Sequence, residues 1–510
     1  MLAPTIQQDQ IFTLARETSD DLLIEALAGS GKTTTILESL KSIRQQTILL
    51  TAFNKRIADT LEAKLQAISV GNRVVHVKTF HALGNSILRK AFPRLTTDKN
   101  ASENLVNSVE GKHPFKIRRA AVKLLRIVKE QIMIKQPLID EMIELGYVYD
   151  VFITRDTALE EAEIEQVADL TYEAYVRGIN FSKRTEIDFC DMIWGPLVND
   201  LPLPSRYQAV IIDEMQDISS PQFALVKRAV APQGRLIGVG DRNQAIYKWR
   251  GAIPDEVWAT FGARAAKTMK LTTCFRCPTR VIAEAQTLVP EIQARDDAPE
   301  GFVEHISVRE SFEMLMTSRA AVAKAIGLGA DELPHDHTFV LSRSNAMLLS
   351  YALAAWSAGV KFQLNAAREM LEPLFGILEK LKTSGTSQVF AESLHNWYFD
   401  ELARANVAGA VARAERVEEQ YQMLSAAAQR AKPAQIAKLL RDMIEVNGSG
   451  VLLSTVHKVK GLEAPRVFLL RMSFARYQER DQTKYPVTDE DKHIEYVAIT
   501  RSQNEMYWVS

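Results

Sequence analysis

The stretch Ala26, Leu27, Ala28, Gly29, Ser30, Gly31, Lys32, Thr33, Thr34 restricts the fold of this chain more than any other. A short apolar run, Leu22 to Ile24, precedes it and stops at Glu25. A helix is expected to begin at Lys32 and to turn Ile36, Leu37 and Leu40 inward. Strand, glycine-containing turn and helix in that order form the setting of a phosphate-binding loop. Gly29 and Gly31 let the backbone fold tightly enough for several N–H groups to point into one concavity, which the positive end of the following helix also faces. Triphosphate oxygens suit such a place, with Lys32 as a mobile charge for the terminal phosphates and the Thr33 hydroxyl as the expected Mg²⁺ ligand. Ala26 stands where such loops usually carry their first glycine.

Further strand ends carry chemistry. QAVIIDEMQD delivers Asp213 and Glu214 to the carboxyl end of a buried strand. Two carboxylates there can divide the work: Asp213 holds Mg²⁺ through water, and Glu214 positions and deprotonates an attacking water. RLIGVG leads into DRNQAIYKWRGA, where Gln244 is a neutral donor for a terminal phosphate and Tyr247, Trp249 and Arg250 suit base stacking. TILLTA reads as a strand and FNKRIADTLEAKL as a helix, so Phe53 and Asn54 fall at a strand-to-helix turn, where ligand contacts of parallel sheets lie. RVVHV and KTFHALG repeat the pattern, with Phe80 fitting the core equally well. Ahead of the first strand, PTIQQDQIF holds glutamines, whose amides donate and accept at once, as the edge of adenine requires.

A chain of 510 residues accommodates two to four domains. No apolar run reaches the length of a bilayer span, and no basic-then-apolar leader opens the sequence, which implies a cytoplasmic protein without a membrane partner. The net charge of −1 gives no support for nucleic-acid binding, so a local basic groove would have to supply it. Of the three cysteines, Cys274 and Cys277 form a CxxC with no second pair at zinc-finger spacing, leaving a redox pair as an option. His335 and His337 suit either a metal or a solvated turn. In KIRRAAVKLLRIVKE, Ile117, Ala121, Leu124 and Val128 share one helical face, with Lys116, Arg119, Lys123 and Arg126 opposite. That basic face fits a nucleic-acid backbone, a membrane surface or plain solvent.

With AGSGKT, DEMQD, GDRNQAIYKWRGA, LTTCFRCP, STVHKVKGLE and YVAITRS in this order, the chain resembles a superfamily 1 helicase of the UvrD/Rep group over nearly its whole length. The AFNKRIA wording is closest to the F-box-helicase and phage-like branch. The resemblance implies an α/β fold of two RecA-like P-loop domains with parallel sheets, each carrying an inserted, mainly helical subdomain, and with ATP clamped between them. The expected boundaries are 1–90 and 181–275 for the first RecA-like domain, with 91–180 inserted. For the second they are 276–371 and 447–510, with 372–446 inserted and a turn or hinge at 447–450. Residue by residue, the resemblance makes Gln8 the adenine reader, Phe275 the ring stacked on adenine, Glu463 the ribose contact, and Arg276 and Arg501 the γ-phosphate arginines. It assigns Phe53, Asn54, His81, Tyr247, Trp249, Arg250 and His457 to a single-stranded DNA track.

Three departures stand out. Thr34 replaces an arginine common in relatives, GDRNQ is less acidic than usual, and the chain stops at YWVS without the C-terminal extension of larger relatives. The resemblance implies an ATP- and Mg²⁺-dependent translocase and helicase, 3′-to-5′, acting on single-stranded and tailed duplex DNA. The alternatives are an ATP-gated DNA-binding subunit of a nuclease or defence complex with little unwinding of its own, and a small-molecule phosphotransferase; a nuclease or a replication or repair factor is the protein partner such a chain would have.

Overall fold

The computed structural model describes residues 4–133, 135–149, 151–152, 159–247, 251–325, 338–407, 411–445, 451–477 and 487–510. Two compact units emerge, Met1–Leu27 with Gly31–Leu271, and Ala28–Ser30 with Thr272–Ser510. The first contains strands β1 (Leu22–Ala26), β2 (Thr47–Ala52), β3 (Val74–Thr79), β4 (Tyr207–Ile212), β5 (Val230–Gly240) and β6 (Lys267–Leu271). They form one sheet in the order β3-β2-β4-β5-β1-β6, with every pairing parallel.

Near-continuous apolar runs make this sheet possible, because successive residues face opposite sides and both sides are covered. Leu23, Leu49, Val210 and Ile212 pack with Phe80, Phe223 and Phe261. Ile24, Ile48, Leu50, Ile211 and Val239 pack on the other face with Ile11, Ile36 and Leu61. Each such side chain contributes roughly 1.5–3 kcal/mol on burial, so the two sheet faces, and not the loops, hold the unit together. Phe80 is thus core. Parallel strands also bring all their carboxyl ends to one edge. The phosphate loop leaves β1 there, Phe53 follows β2, His81 follows β3, Asp213 follows β4 and Asp241 follows β5.

Between β3 and β4 lies a helical layer that includes Ala101–Asn107, Phe115–Gln131, Ile139–Val148 and Glu161–Ile179, closed around Ile117, Ala121, Leu124 and Val128. On the opposite face of the Phe115–Gln131 helix, Lys116 pairs with Glu163, while Lys123 and Arg126 donate to the carbonyls of Tyr149 and Lys99. Arg119 is exposed.

The second unit repeats the architecture with β7 (Phe302–Ile306), β8 (Thr338–Ser342), β9 (Gln363–Leu364), β10 (Leu452–Thr455), β11 (Ala464–Leu470) and β12 (Ser502–Val509). Their order is β7-β12-β11-β8-β10-β9, again all parallel. Helices Ala367–Leu378, Ser387–Val407, Val411–Ala428 and Pro433–Glu445 stand between β9 and β10. His335, His337 and the expected turn at 447–450 lie outside the described residues. No helix among the described residues is long and apolar enough to cross a membrane.

A buried carboxylate in this unit escaped the sequence patterns. Glu495, on helix Asp489–Ile499, is 2% exposed and pairs with Arg476 at 2.6 Å. Burial pushes its pKa up to about 7 against the pull of Arg476, and Glu284 adds to the rise. Stability from this group is therefore full below the ordinary carboxyl value of 4.5 and is lost as pH rises through about 7. Glu495→Gln should flatten that fall, by up to about 3 kcal/mol between pH 5 and 8. Urea unfolding of both proteins at the two pH values measures it, and identical pH slopes would refute it.

Candidate nucleotide site and nucleic-acid face

Gly29 and Gly31 both adopt the left-handed backbone, with φ of 67° and 80°. That region suits glycine because no Cβ meets the carbonyl. Gly31 caps helix Lys32–Ser39 without any side-chain hydrogen bond. The cap residue thus leaves the first N–H donors of the helix without a side-chain acceptor, which is the arrangement an oxyanion suits. Ser30 Oγ, in the same loop, is buried and lacks a hydrogen-bond partner. A phosphate oxygen fits this donor set. Thr33 is half-buried and Thr34 exposed. Of the N-terminal glutamines, Gln8 is the buried one, donating through Nε2 to Thr35 Oγ1 at 3.1 Å, while Gln10 is exposed.

Lys32 Nζ lies 3.4 Å from Glu214 Oε2. Burial opposes the lysine's charge, but Glu214, Asp241 and Asp213 outweigh it and raise its pKa. Burial, followed by repulsion from Glu214, pushes Asp213 up to about 7, with Lys32 opposing. Glu214 itself sits at φ 51°, a left-handed backbone that is strained for a non-glycine residue and marks a place where geometry has been forced by its surroundings. No three His, Cys, Asp or Glu side chains converge as a metal cage among the described residues. A Mg²⁺ ion brought by phosphates needs only one or two protein oxygens, which Thr33 and Asp213 can supply.

From Glu214 a chain of hydrogen bonds runs along the sheet edge. Gln216 Nε2 donates to Glu214 Oε2 at 2.5 Å, the Asp241 N–H donates to Gln216 Oε1 at 3.1 Å, and Gln244 Nε2 donates to Asp241 Oδ2 at 2.8 Å. All of Gln216, Asp241 and Gln244 are buried. Three residues beyond Gln244 is Tyr247, whose ring lies parallel to that of Phe53 within 6°, at 6.3 Å between centroids. Sequence reading missed Gln216 and Asp241 as site residues, although both stand inside motifs it had singled out.

Phe53, His81 and Tyr247 line one cavity of about 250 Å³, together with Lys129, Gln131 and Cys190. Burial lowers the His81 pKa, which favours a neutral ring at neutral pH. Phe189, 62% exposed, stands edge-on to His81 with centroids 5.8 Å apart, a neighbour the sequence reading did not name. Its one legible signal is an aromatic placed directly after the helix cap Asp188, where it cannot reach the core. Lys129 comes from the helix read as amphipathic, yet it is fully buried and bridges to Asp191 at 2.7 Å. Asn54 serves as the N-cap of helix Lys55–Gln66, accepting from the Ile57 N–H at 2.9 Å. Trp249 and Arg250 lie outside the described residues.

The second unit assembles Arg276, Glu463 and Arg501. Arg276 pairs with Glu463 and donates to the Thr500 carbonyl at 3.0 Å. Arg501 follows the end of helix Asp489–Ile499 and is 1% exposed, donating to the carbonyls of Val497 and Leu462 and to Thr500 Oγ1. The sequence suggested two displayed arginines. Of the two, Arg276 is part-exposed, while Arg501, itself in the turn that joins the helix to β12, is buried with its guanidinium on the Val497 and Leu462 carbonyls. Phe275 is half-buried, and His457 follows β10 on a short turn where the neighbouring Lys458 pairs with Glu369 at 2.5 Å.

Residues 6–260, half of the chain, match the model of the UvrD/REP helicase N-terminal domain. The chain belongs to the UvrD/REP helicase family. Among curated relatives, the ATP-dependent DNA helicase UvrD2 of Mycobacterium bovis is 24% identical over an alignment of 544 residues, covering 93% of this chain and 74% of that protein. The probable DNA helicase II homolog of Mycoplasma pneumoniae is 23% identical over 308 residues, which are 54% of this chain and 40% of its own length. The ATP-dependent DNA helicase PcrA of Staphylococcus epidermidis is 26% identical over 257 residues, 46% of this chain and 33% of that protein. This UvrD/REP family member thus spans less than half the length of two of these relatives and about three quarters of the third.

Because Asn54 caps a helix, its substitution has a stability cost separate from any ligand contact. Asn54→Ala should destabilise the chain by about 1 kcal/mol, read as a lower denaturant midpoint with an unchanged m-value. An unshifted midpoint would show that the cap contributes nothing.

Proposed function

We propose that this chain is an ATP-dependent, Mg²⁺-requiring single-stranded DNA translocase and helicase that moves 3′-to-5′. One observation carries this reading: the hydrogen-bond chain from Lys32 and Glu214 through Gln216 and Asp241 to Gln244, three residues short of Tyr247. A nucleotide site and a face with parallel aromatic rings share one network, so a change at the terminal phosphate has a direct mechanical route to the bases.

In this reading the loop N–H groups and Ser30 hold phosphate oxygens, and Lys32 orients the terminal ones. Glu214 takes the proton of the attacking water, with Lys32 Nζ 3.4 Å from its carboxylate. Thr33 and, through water, Asp213 would hold Mg²⁺, which would neutralise phosphate charge. Gln244 touches the terminal phosphate and passes its position to Tyr247. Gln8 reads adenine, Phe275 stacks on it, Glu463 contacts the ribose, and Arg276 and Arg501 stabilise charge on the transferred group. The last of these roles requires Arg501 to leave its present carbonyl partners. Phe53, Asn54, His81, Tyr247, Trp249, Arg250 and His457 line the DNA track, where stacking is indifferent to base identity. The named activities of the relatives support the same reading.

Lys32→Ala and Glu214→Gln should each lower DNA-stimulated ATP hydrolysis by roughly 10²–10⁴-fold, the second with nucleotide binding retained. Phosphate release measured with and without single-stranded DNA tests this, and unwinding of substrates with a 3′ or a 5′ tail tests direction. Hydrolysis indifferent to DNA would instead favour a small-molecule phosphotransferase. Tyr247→Ala should weaken single-stranded DNA binding by about 1–3 kcal/mol, as followed by fluorescence anisotropy. Unchanged affinity would remove this ring from the track.

A further inference from the structure

Two buried thiols bracket Phe275 and Arg276. Cys274 is fully buried at the end of the short strand Thr273–Cys274, and Cys277 is 3% exposed just before helix Thr279–Gln286. The tight turn between them brings the Cys277 N–H to 3.4 Å from Cys274 Sγ. Cys277 Sγ donates to the Thr500 carbonyl at 3.7 Å, the same oxygen that accepts from Arg276 at 3.0 Å. One carbonyl therefore ties the second thiol to the guanidinium.

We propose that Cys274 and Cys277 are an oxidisable dithiol whose disulfide, formed by hydrogen peroxide, displaces Arg276. The step balances. Cys274 thiolate attacks one peroxide oxygen, the O–O bond breaks, and hydroxide leaves to give a sulfenic acid. Cys277 sulfur then attacks that sulfur, the S–O bond breaks, and water leaves. Two electrons pass from the sulfur pair to the peroxide. Its two oxygens leave as water, and the thiol protons end there too. A CxxC turn is short enough for the bond, and drawing the two sulfurs together reshapes the turn that carries Phe275 and Arg276 between them.

The surroundings favour this order of events. A hydrogen bond from the Cys277 thiol, the backbone N–H groups of Cys277 and Arg276, and the Arg276 charge bring the Cys274 pKa down to about 6 despite burial, while Cys277 is held well above its ordinary value. In that bond the one proton of the Cys277 thiol turns from the Thr500 carbonyl to Cys274. Cys274 is thus the attacking thiolate and Cys277 the resolving thiol. The third cysteine is an internal contrast: burial, then the Glu130 and Asp188 charges, push the Cys190 thiol up. Because both sulfurs of the pair are buried, a small neutral oxidant is favoured over a bulky disulfide such as oxidised glutathione.

Treating the reduced full-length chain with hydrogen peroxide, blocking free thiols and digesting with trypsin tests this. Cleavage after Lys270, Arg276 and Arg280 gives peptides Leu271–Arg276 and Cys277–Arg280. The expected product is these two joined by a disulfide, with Cys190 recovered blocked. Oxidation that stops at Cys274 sulfinic acid, or that appears first at Cys190, would overturn the proposal, as would glutathione recovered on Cys274. Cys277→Ser should leave a sulfenic acid at Cys274 that a dimedone probe traps. Cys274→Ser should show no oxidation at Cys277.

The effect on Arg276 rests on the role given to it above. Peroxide is expected to slow hydrolysis by roughly 10²-fold in the wild type, reversibly with dithiothreitol, and to leave the rate of Cys277→Ser unchanged. A disulfide that forms without slowing hydrolysis would overturn the displacement of Arg276 alone. A reduced chain without DNA-stimulated hydrolysis would instead overturn the motor reading and leave the peptide result standing.

Discussion

A lysine ammonium buried among carboxylates sets the terms for the first unit. Taking the Lys32 charge out of water is costly, and only the adjacent Glu214, Asp241 and Asp213 make it tolerable. Those carboxylates cannot be supplied by neighbours in sequence. They arrive because β4 and β5 run parallel to β1 and end at the same edge, so the sheet's parallel register is what allows the charge to be buried there. Burial, with the Glu214 charge adding to it, pushes Asp213 and Asp241 toward protonation against the pull of Lys32. A site in that condition is poised to accept more positive charge.

The same crowding explains the backbone at Glu214. Its left-handed φ turns the chain sharply after β4 and aims the carboxylate at Lys32, while the next turn presents Gln216 to both Glu214 and Asp241. Gln216 is well suited to that place because one amide end donates to a carboxylate and the other accepts from a backbone N–H. Its burial means that either bond, once lost, leaves a polar group unsatisfied, so the network holds a defined arrangement instead of a range of them.

In the second unit the balance is struck differently. Arg501 satisfies buried carbonyls at the end of its helix, and Arg276 is held between Glu463 and the Thr500 carbonyl. Arginine tolerates both settings because its fork of donors serves a carbonyl as well as an anion. Thr500 is the common point: its carbonyl takes Arg276 and Cys277, and its hydroxyl takes Arg501.

The sequence by itself determined the elements and their order. Apolar runs ending in Glu25, Phe53, Asp213 or Asp241 are legible as buried strands feeding loops, and the glycines of the phosphate loop are legible because only a small residue accepts the backbone it needs. Lys32, Phe53 and Tyr247 could be picked out since each stands close after such a strand end, whereas the family resemblance singles out Gln8 among its neighbouring glutamines. Tertiary structure decided what those offsets meet. That Lys129 is buried against Asp191, that Phe189 stands against His81, and that Arg501 is buried on the carbonyls of Val497 and Leu462 all depend on partners that local spacing does not name. Local spacing records which way a side chain points along its own element, but the partner that satisfies its charge or covers its ring is chosen only when elements pack.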